Sequence, residues 1–151
     1  MERSRGKLRV CVALLALNVA FIWGNSLLPG EVSGAISQWV GRILKALFGF
    51  SSEQPDAGHG LLRKLAHFTE FACLGGLLTW LTAMFGKSFP LALAGGFAVA
   101  CVDETIQCFV PGRGPAFTDV LIDTAGVLLG ICVLLVGYKL YRNKVTQSLE
   151  D

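Results

Sequence analysis

The chain has 151 residues, of which 53% are hydrophobic and 16% charged, with a net charge of +2. Soluble domains carry about 25% charged residues, and a domain this small could not bury so much apolar surface in water. That excludes a water-soluble globule and a disordered chain, and the small net charge argues against a nucleic-acid partner. An integral membrane protein remains, with one domain covering 1–151.

The apolar residues gather into four runs, at 8–28, 61–85, 89–110 and 120–140. About 20 apolar residues cross a bilayer as a helix. The runs are too long for core strands and lack strict alternation. They predict an all-α bundle of four transmembrane helices at about 8–28, 61–85, 89–110 and 119–141. The first run follows a basic stretch, Arg3, Arg5, Lys7 and Arg9, as a signal peptide would. No small-x-small cleavage site follows it, so an uncleaved helix is expected. Pro90 falls in the first turn of the third run, where proline is tolerated. Turns are required at Gly86-Lys87-Ser88 and at Pro111-Gly112-Arg113-Gly114-Pro115.

Between the first two runs, Val32, Ile36, Trp39, Val40, Ile43, Leu44, Leu47 and Phe48 recur at spacings of three and four. Ser33, Ser37, Gln38, Arg42 and Lys45 fall between them. The pattern predicts an interfacial amphipathic helix at about 32–49, serving either as a lid or lipid-contacting element or simply packing on the bundle. Residues 51–60 are polar, with Pro55 and two glycines, and read as a flexible connector.

Orientation follows from charge. With the N-terminus inside, the inner segments hold eight basic residues and the outer segments five. The positive-inside rule therefore places both termini of a multi-pass chain in the cytoplasm.

Ionisable groups inside spans are costly, and in membrane proteins they usually mark function or pairing. Here Lys64, His67 and Glu70 lie on the second span, Asp103, Glu104 and Gln107 on the third, and Asp119 and Asp123 on the fourth. In this topology all three sets reach the outer half of the membrane, near the extracellular face, beside a turn carrying Arg113. Spacings of three and four give each helix one polar stripe, and stripes in lipid must turn inward or towards water. The bland alternative is a cluster of structural salt bridges, but buried ion pairs are a poor source of net stability. Five cysteines (Cys11, Cys73, Cys101, Cys108 and Cys132) lie within or near apolar runs, with no C-x-x-C spacing, and read as small apolar residues. The pairs Gly75-Gly76 and Gly95-Gly96, with Gly126-x-x-x-Gly130, read as helix-packing positions.

Lys64-x-x-His67-Phe68-x-Glu70-Phe71, then Asp103-Glu104-x-x-Gln107-x-Phe109-x-Pro111-Gly112-Arg113, then Asp119 and Gly126, resemble the VanZ-like family over about 23–135. The resemblance implies a small bacterial membrane protein associated with low-level resistance to the glycopeptide teicoplanin. It assigns the family pattern to Lys64, His67, Glu70, Asp103, Glu104, Gln107, Arg113 and Asp119. Asp123 departs from it, standing where the family commonly has Asn.

Three functions fit these residues. The first is binding or altering a cell-envelope component at the outer leaflet. Lys64 and Arg113 would hold an anionic or lipid-linked headgroup, or a glycopeptide, with Asp103, Gln107 and Asp123 lining the site. The second is a membrane-embedded enzyme using His67, Glu70, Glu104 and Asp119 as acid/base groups. No cofactor motif is present; a histidine with several carboxylates could hold a divalent metal, although a single histidine is a weak zinc set. The third, an ion path, is disfavoured because the charges stop at the outer half. A reporter fused after Asp151 is expected to be active only in the cytoplasm; activity solely outside it would overturn the orientation.

Overall fold

A computed structural model describes residues 2–48, 55–114 and 116–148, and within these the chain is helical apart from turns. Five helices follow in order: α1 (Glu2–Ser26), α2 (Gly30–Phe48), α3 (Pro55–Met84), α4 (Phe89–Gln107) and α5 (Phe117–Gln147). Three are long and apolar enough to cross a membrane: α1 over Ser4–Ser26, α4 and α5. α3 spans 30 residues, about 45 Å at 1.5 Å per residue. It falls short in apolarity, because Arg63, Lys64, His67 and Glu70 load its first half.

Several element boundaries shift, α1 already starting at Glu2 and α2 at Gly30. α3 begins at Pro55, so residues 55–60 open a helix instead of forming a connector; residues 51–54 lie outside the described residues. A proline is pre-organised for a helix start, and its missing N–H costs nothing there. α4 ends at Gln107, and Cys108 to Val110 turn away. α5 runs on to Gln147, where Lys144 in the last turn complements the negative end of the helix. The α3–α4 link is a tight helix stop: Gly86 takes φ 63°, the Gly86 N–H donates to the Ala83 carbonyl, and the Lys87 N–H reaches back to Thr82.

α3 is the hub, packing against α1, α2, α4 and α5. α1 and α4 run antiparallel to it, since Asn25 meets Glu70 while Cys11 meets Leu77, and His67 meets Asp103 while Leu78 lies beside Gly95. α5 runs parallel to it: Lys64 meets Asp119, Phe68 lies over Gly126 and Ala72 over Gly130. The parallel pair is the tightest. A Cβ on Gly126 would strike the Phe68 carbonyl, one on Gly130 the Ala72 carbonyl, and one on Gly75 the Val127 carbonyl. Small residues let helix backbones approach this closely.

The apolar core is thin: Ile22, Phe71, Leu74, Ala92, Ala100, Val120, Val127 and Ile131. Leu17, Phe21, Val133 and Val136 point outward, each more than half exposed. Asp103, Asp123, Gln107 and Ser26 are buried. Large apolar side chains outside and polar ones within is the burial pattern of a protein solvated by lipid. α2 follows it too. Val32, Trp39 and Leu47 are exposed, whereas Ser37 is buried and Ser33 and Val40 are half-buried.

Gly130→Ala should force the α3–α5 seam apart at a cost of about 1–3 kcal/mol, read as a lowered unfolding midpoint in detergent. Gly137→Ala, with nothing within 4 Å of its Cβ, should leave the midpoint in place. Equal effects at both positions would show that the seam is not the tight contact.

Candidate functional site

α3 carries one polar stripe over two turns, and its members take different partners. Lys64 Nζ lies 2.9 Å from Asp119 Oδ1, with both side chains partly in solvent reach. Exposed pairs of this kind contribute at most about 1 kcal/mol. His67 Nδ1 lies 3.8 Å from Asp103 Oδ2, beyond hydrogen-bond range. Glu70 Oε1 accepts a 2.9 Å bond from Asn25 Nδ2 of α1. His67 and Glu70, three apart on α3 and both acid/base candidates, therefore take separate partners. The two are neighbours on the helix, but His67 faces α4 and Glu70 faces α1.

α4 supplies the buried centre. Asp103, Glu104 and Gln107 share its last turn and a half, all buried. Gln107 Nε2 donates to Asp103 Oδ2 at 2.9 Å and reaches Ser26 Oγ of α1 at 3.4 Å. Glu104 Oε1 accepts the Ala116 N–H. It thus caps the N-terminus of α5, whose own N-cap residue, Ala116, has no side chain able to do so. A carboxylate is favourable at that positive helix end. Asp123, also buried, approaches His67 and Asp103, and one donor atom from each of the three lies within 4.8 Å of the others.

Arg113 sits in the α4–α5 turn. Its Nε donates to the Leu28 carbonyl at 3.1 Å and its Nη2 to the Asn25 carbonyl at 2.8 Å. The Asn25 carbonyl lies in the last turn of α1, where acceptors lack helical donors, and Leu28 follows in the corner before α2. Next to them Gly112, at φ 73°, presses on Gly30, and the Gly30 N–H donates to the Pro111 carbonyl at 3.0 Å. Arg113 therefore clasps the α1–α2 corner, and only Nη1 is left without a partner.

Two cavities adjoin. A polar one of about 100 Å³ is lined by Asn25, Ser33, Arg63, His67, Glu70 and Arg113, among others. Beside it an apolar groove of about 290 Å³ runs between α2 and α3, lined by Val40, Leu62 and Leu65. Ile36, Ser37 and Ala66 border both. A smaller cleft of about 10 Å³ opens between Arg63, Lys64 and Asp119 onto His67, Gln107 and Asp123.

The structure thus gathers the residues singled out from the sequence at one end of the bundle. It divides them into a Lys64–Asp119 pair, a His67–Asp103–Asp123–Gln107 centre, a Glu70–Asn25 contact, and the Glu104 and Arg113 caps. Of the α1 contribution, sequence reasoning missed Asn18. Asn18, whose amide reaches the Glu70 carbonyl at 3.5 Å, Asn25 and the buried Ser26 all face α3 or α4. Its signal was the seven-residue interval from Asn18 to Asn25, two turns of one face within an apolar run.

Fold and site together define a membrane-type helical bundle whose interior polar cluster lies at one end. The sequence model of the VanZ/LLP1 family matches residues 11–138, and the chain belongs to this family. No curated protein matches it significantly, and no solved structure does.

Asn25→Ala removes the donor to the Glu70 carboxyl and should cost about 1–3 kcal/mol, measured as unfolding in detergent. Thr105→Ala, which deletes an exposed hydroxyl bonded only to its own helix, should stay within about 0.5 kcal/mol. A silent Asn25→Ala would show that Glu70 has another partner.

Proposed function

We propose that the protein binds an anionic, lipid-linked component of the cell envelope at the outer leaflet, with the headgroup in the polar cavity and an acyl chain along the apolar groove. The observation that carries this reading is the adjacency of the two cavities across Ile36, Ser37 and Ala66. A polar chamber that shares a wall with an apolar groove has the polarity of an amphiphile. Arg63 and the free Nη1 of Arg113 supply donors for phosphate or carboxylate oxygens. Lys64 is held by Asp119 and would join only by exchanging that partner.

In this reading α3 is a fourth span, its polar half shielded by α1, α2, α4 and α5. Both termini are cytoplasmic, and α2 lies in the outer interface as the side wall of the groove. The alternating directions of α1, α3, α4 and α5 support four crossings. Binding or altering an envelope component would account for the teicoplanin resistance that the resemblance implies. An enzymatic role would place the reacting group against His67 and Asp103.

Protein purified in mild detergent and analysed by lipid mass spectrometry should retain an anionic lipid. Arg63→Gln should weaken its retention about tenfold, the loss of one charge-assisted contact. Ala66→Trp, which fills the boundary between the cavities, should abolish it, and teicoplanin susceptibility should rise in parallel. Retention of the same lipid by both variants, each folded as wild type, would overturn the proposal.

A further inference from the structure

The three helices that meet beneath the polar cavity leave a second feature, which shares His67 but neither of its aspartates with the lining of that cavity. His67 of α3, Asp103 of α4 and Asp123 of α5 place one donor atom each within 4.8 Å of one another. His67, Asp103 and Asp123 are each more than nine-tenths buried. Among the described residues, neither Asp103 nor Asp123 has a Lys or Arg partner: the only such ion pair is Lys64 with Asp119. Two buried carboxyl groups without a cation are costly in a low-dielectric interior.

The unpartnered atoms point the same way. Asp103 Oδ2 is held by Gln107, which fixes the carboxylate's orientation, while Asp103 Oδ1 has no hydrogen-bond partner. His67 Nδ1 also lacks one, although it faces Asp103 at 3.8 Å. An imidazole nitrogen and carboxylate oxygens converging from three elements, one of them oriented by a neighbouring amide, is how metal ligands are supported.

We infer that His67, Asp103 and Asp123 form a divalent-cation site. Ligands at about 2.1 Å from one ion lie at most about 4.2 Å apart. The 3.8 Å separation of His67 and Asp103 already meets this, and the three-atom cluster closes by about half an ångström. One nitrogen with two carboxylates and no thiolate suits a cation of the Mn²⁺ or Zn²⁺ kind, with remaining positions open to water or a ligand oxygen. The route in is the narrow cleft between Arg63 and Lys64, which both His67 and Asp123 line.

Asp103 and Asp123 do not line the headgroup cavity, so the cation site is tested without lipid. Full-length protein in detergent, stripped by chelator, is titrated with Mn²⁺ and followed by electron paramagnetic resonance, with Zn²⁺ as competitor. One equivalent should bind, with pulsed spectra showing coupling to a single nitrogen. Asp103→Asn and Asp123→Asn, which keep size and remove charge, should each weaken binding at least tenfold. His67→Gln should remove the nitrogen coupling. Glu31→Gln, on exposed α2 surface, serves as the control and should bind as wild type. Helical circular dichroism separates a lost site from a lost fold. The absence of saturable binding by wild type, or Mn²⁺ bound without nitrogen coupling, would overturn the site. So would equal affinity in all three folded variants. Lipid retention by the Asp103→Asn and Asp123→Asn preparations, whose substitutions lie outside the headgroup cavity, fails or survives independently.

Discussion

Glycine lets α3 and α5 lie backbone against backbone. With Gly126 under the Phe68 carbonyl and Gly130 under that of Ala72, two helices of about 30 residues share a seam in parallel register. Everything polar is positioned from that seam. One to two turns before it on α5 come Asp119 and Asp123; at the same level on α3 come Lys64 and His67. α4 then fits against both, since Gly96 admits the Val127 side chain, and this brings Asp103 beneath His67. A bulkier residue at Gly130 would alter the spacing of the carboxylates as well as the packing.

Burial in this molecule is inverted relative to a soluble domain. Phe21, Leu17 and Val136 face outward, while Asp103 and Asp123 are nearly inaccessible. With lipid outside, apolar burial between helices contributes little, and backbone closeness and hydrogen bonds carry association. The side-chain bonds across helices concentrate at the polar end: Asn25 to Glu70, Gln107 to Ser26, and Arg113 to the Asn25 carbonyl in the last turn of α1. The same contacts that hold the helices together therefore shape the cavity.

Much of this was legible in the sequence. Hydrophobic run length located the helices, and charges within those runs marked the residues of the cluster, because few forces other than function or pairing keep an ion in an apolar segment. What could not be read was partnership. Angular spacing put His67 beside Glu70, yet the two diverge, because neighbours on one helix face can still belong to different interfaces. Arg113 read as a ligand group from its charge alone, whereas the geometry spends two of its donors on backbone carbonyls. The start of α3 at Pro55 was hidden because a polar first turn with glycines has the composition of a loop. Asn18 was obscured by the apolar residues around it, and an uncharged amide stands out less than a charge does.

The clasp between Arg113 and Leu28 joins residues 85 apart in the chain. A ribosome releases the first of them long before the second exists. Until the α4–α5 turn has been delivered, the carbonyls of Asn25 and Leu28 have no guanidinium to receive, and Gly30 has no Pro111 to meet. A nascent chain that halts after α4 carries every lining residue of the polar chamber except Arg113, so delivery of the α4–α5 turn is the event that completes its wall.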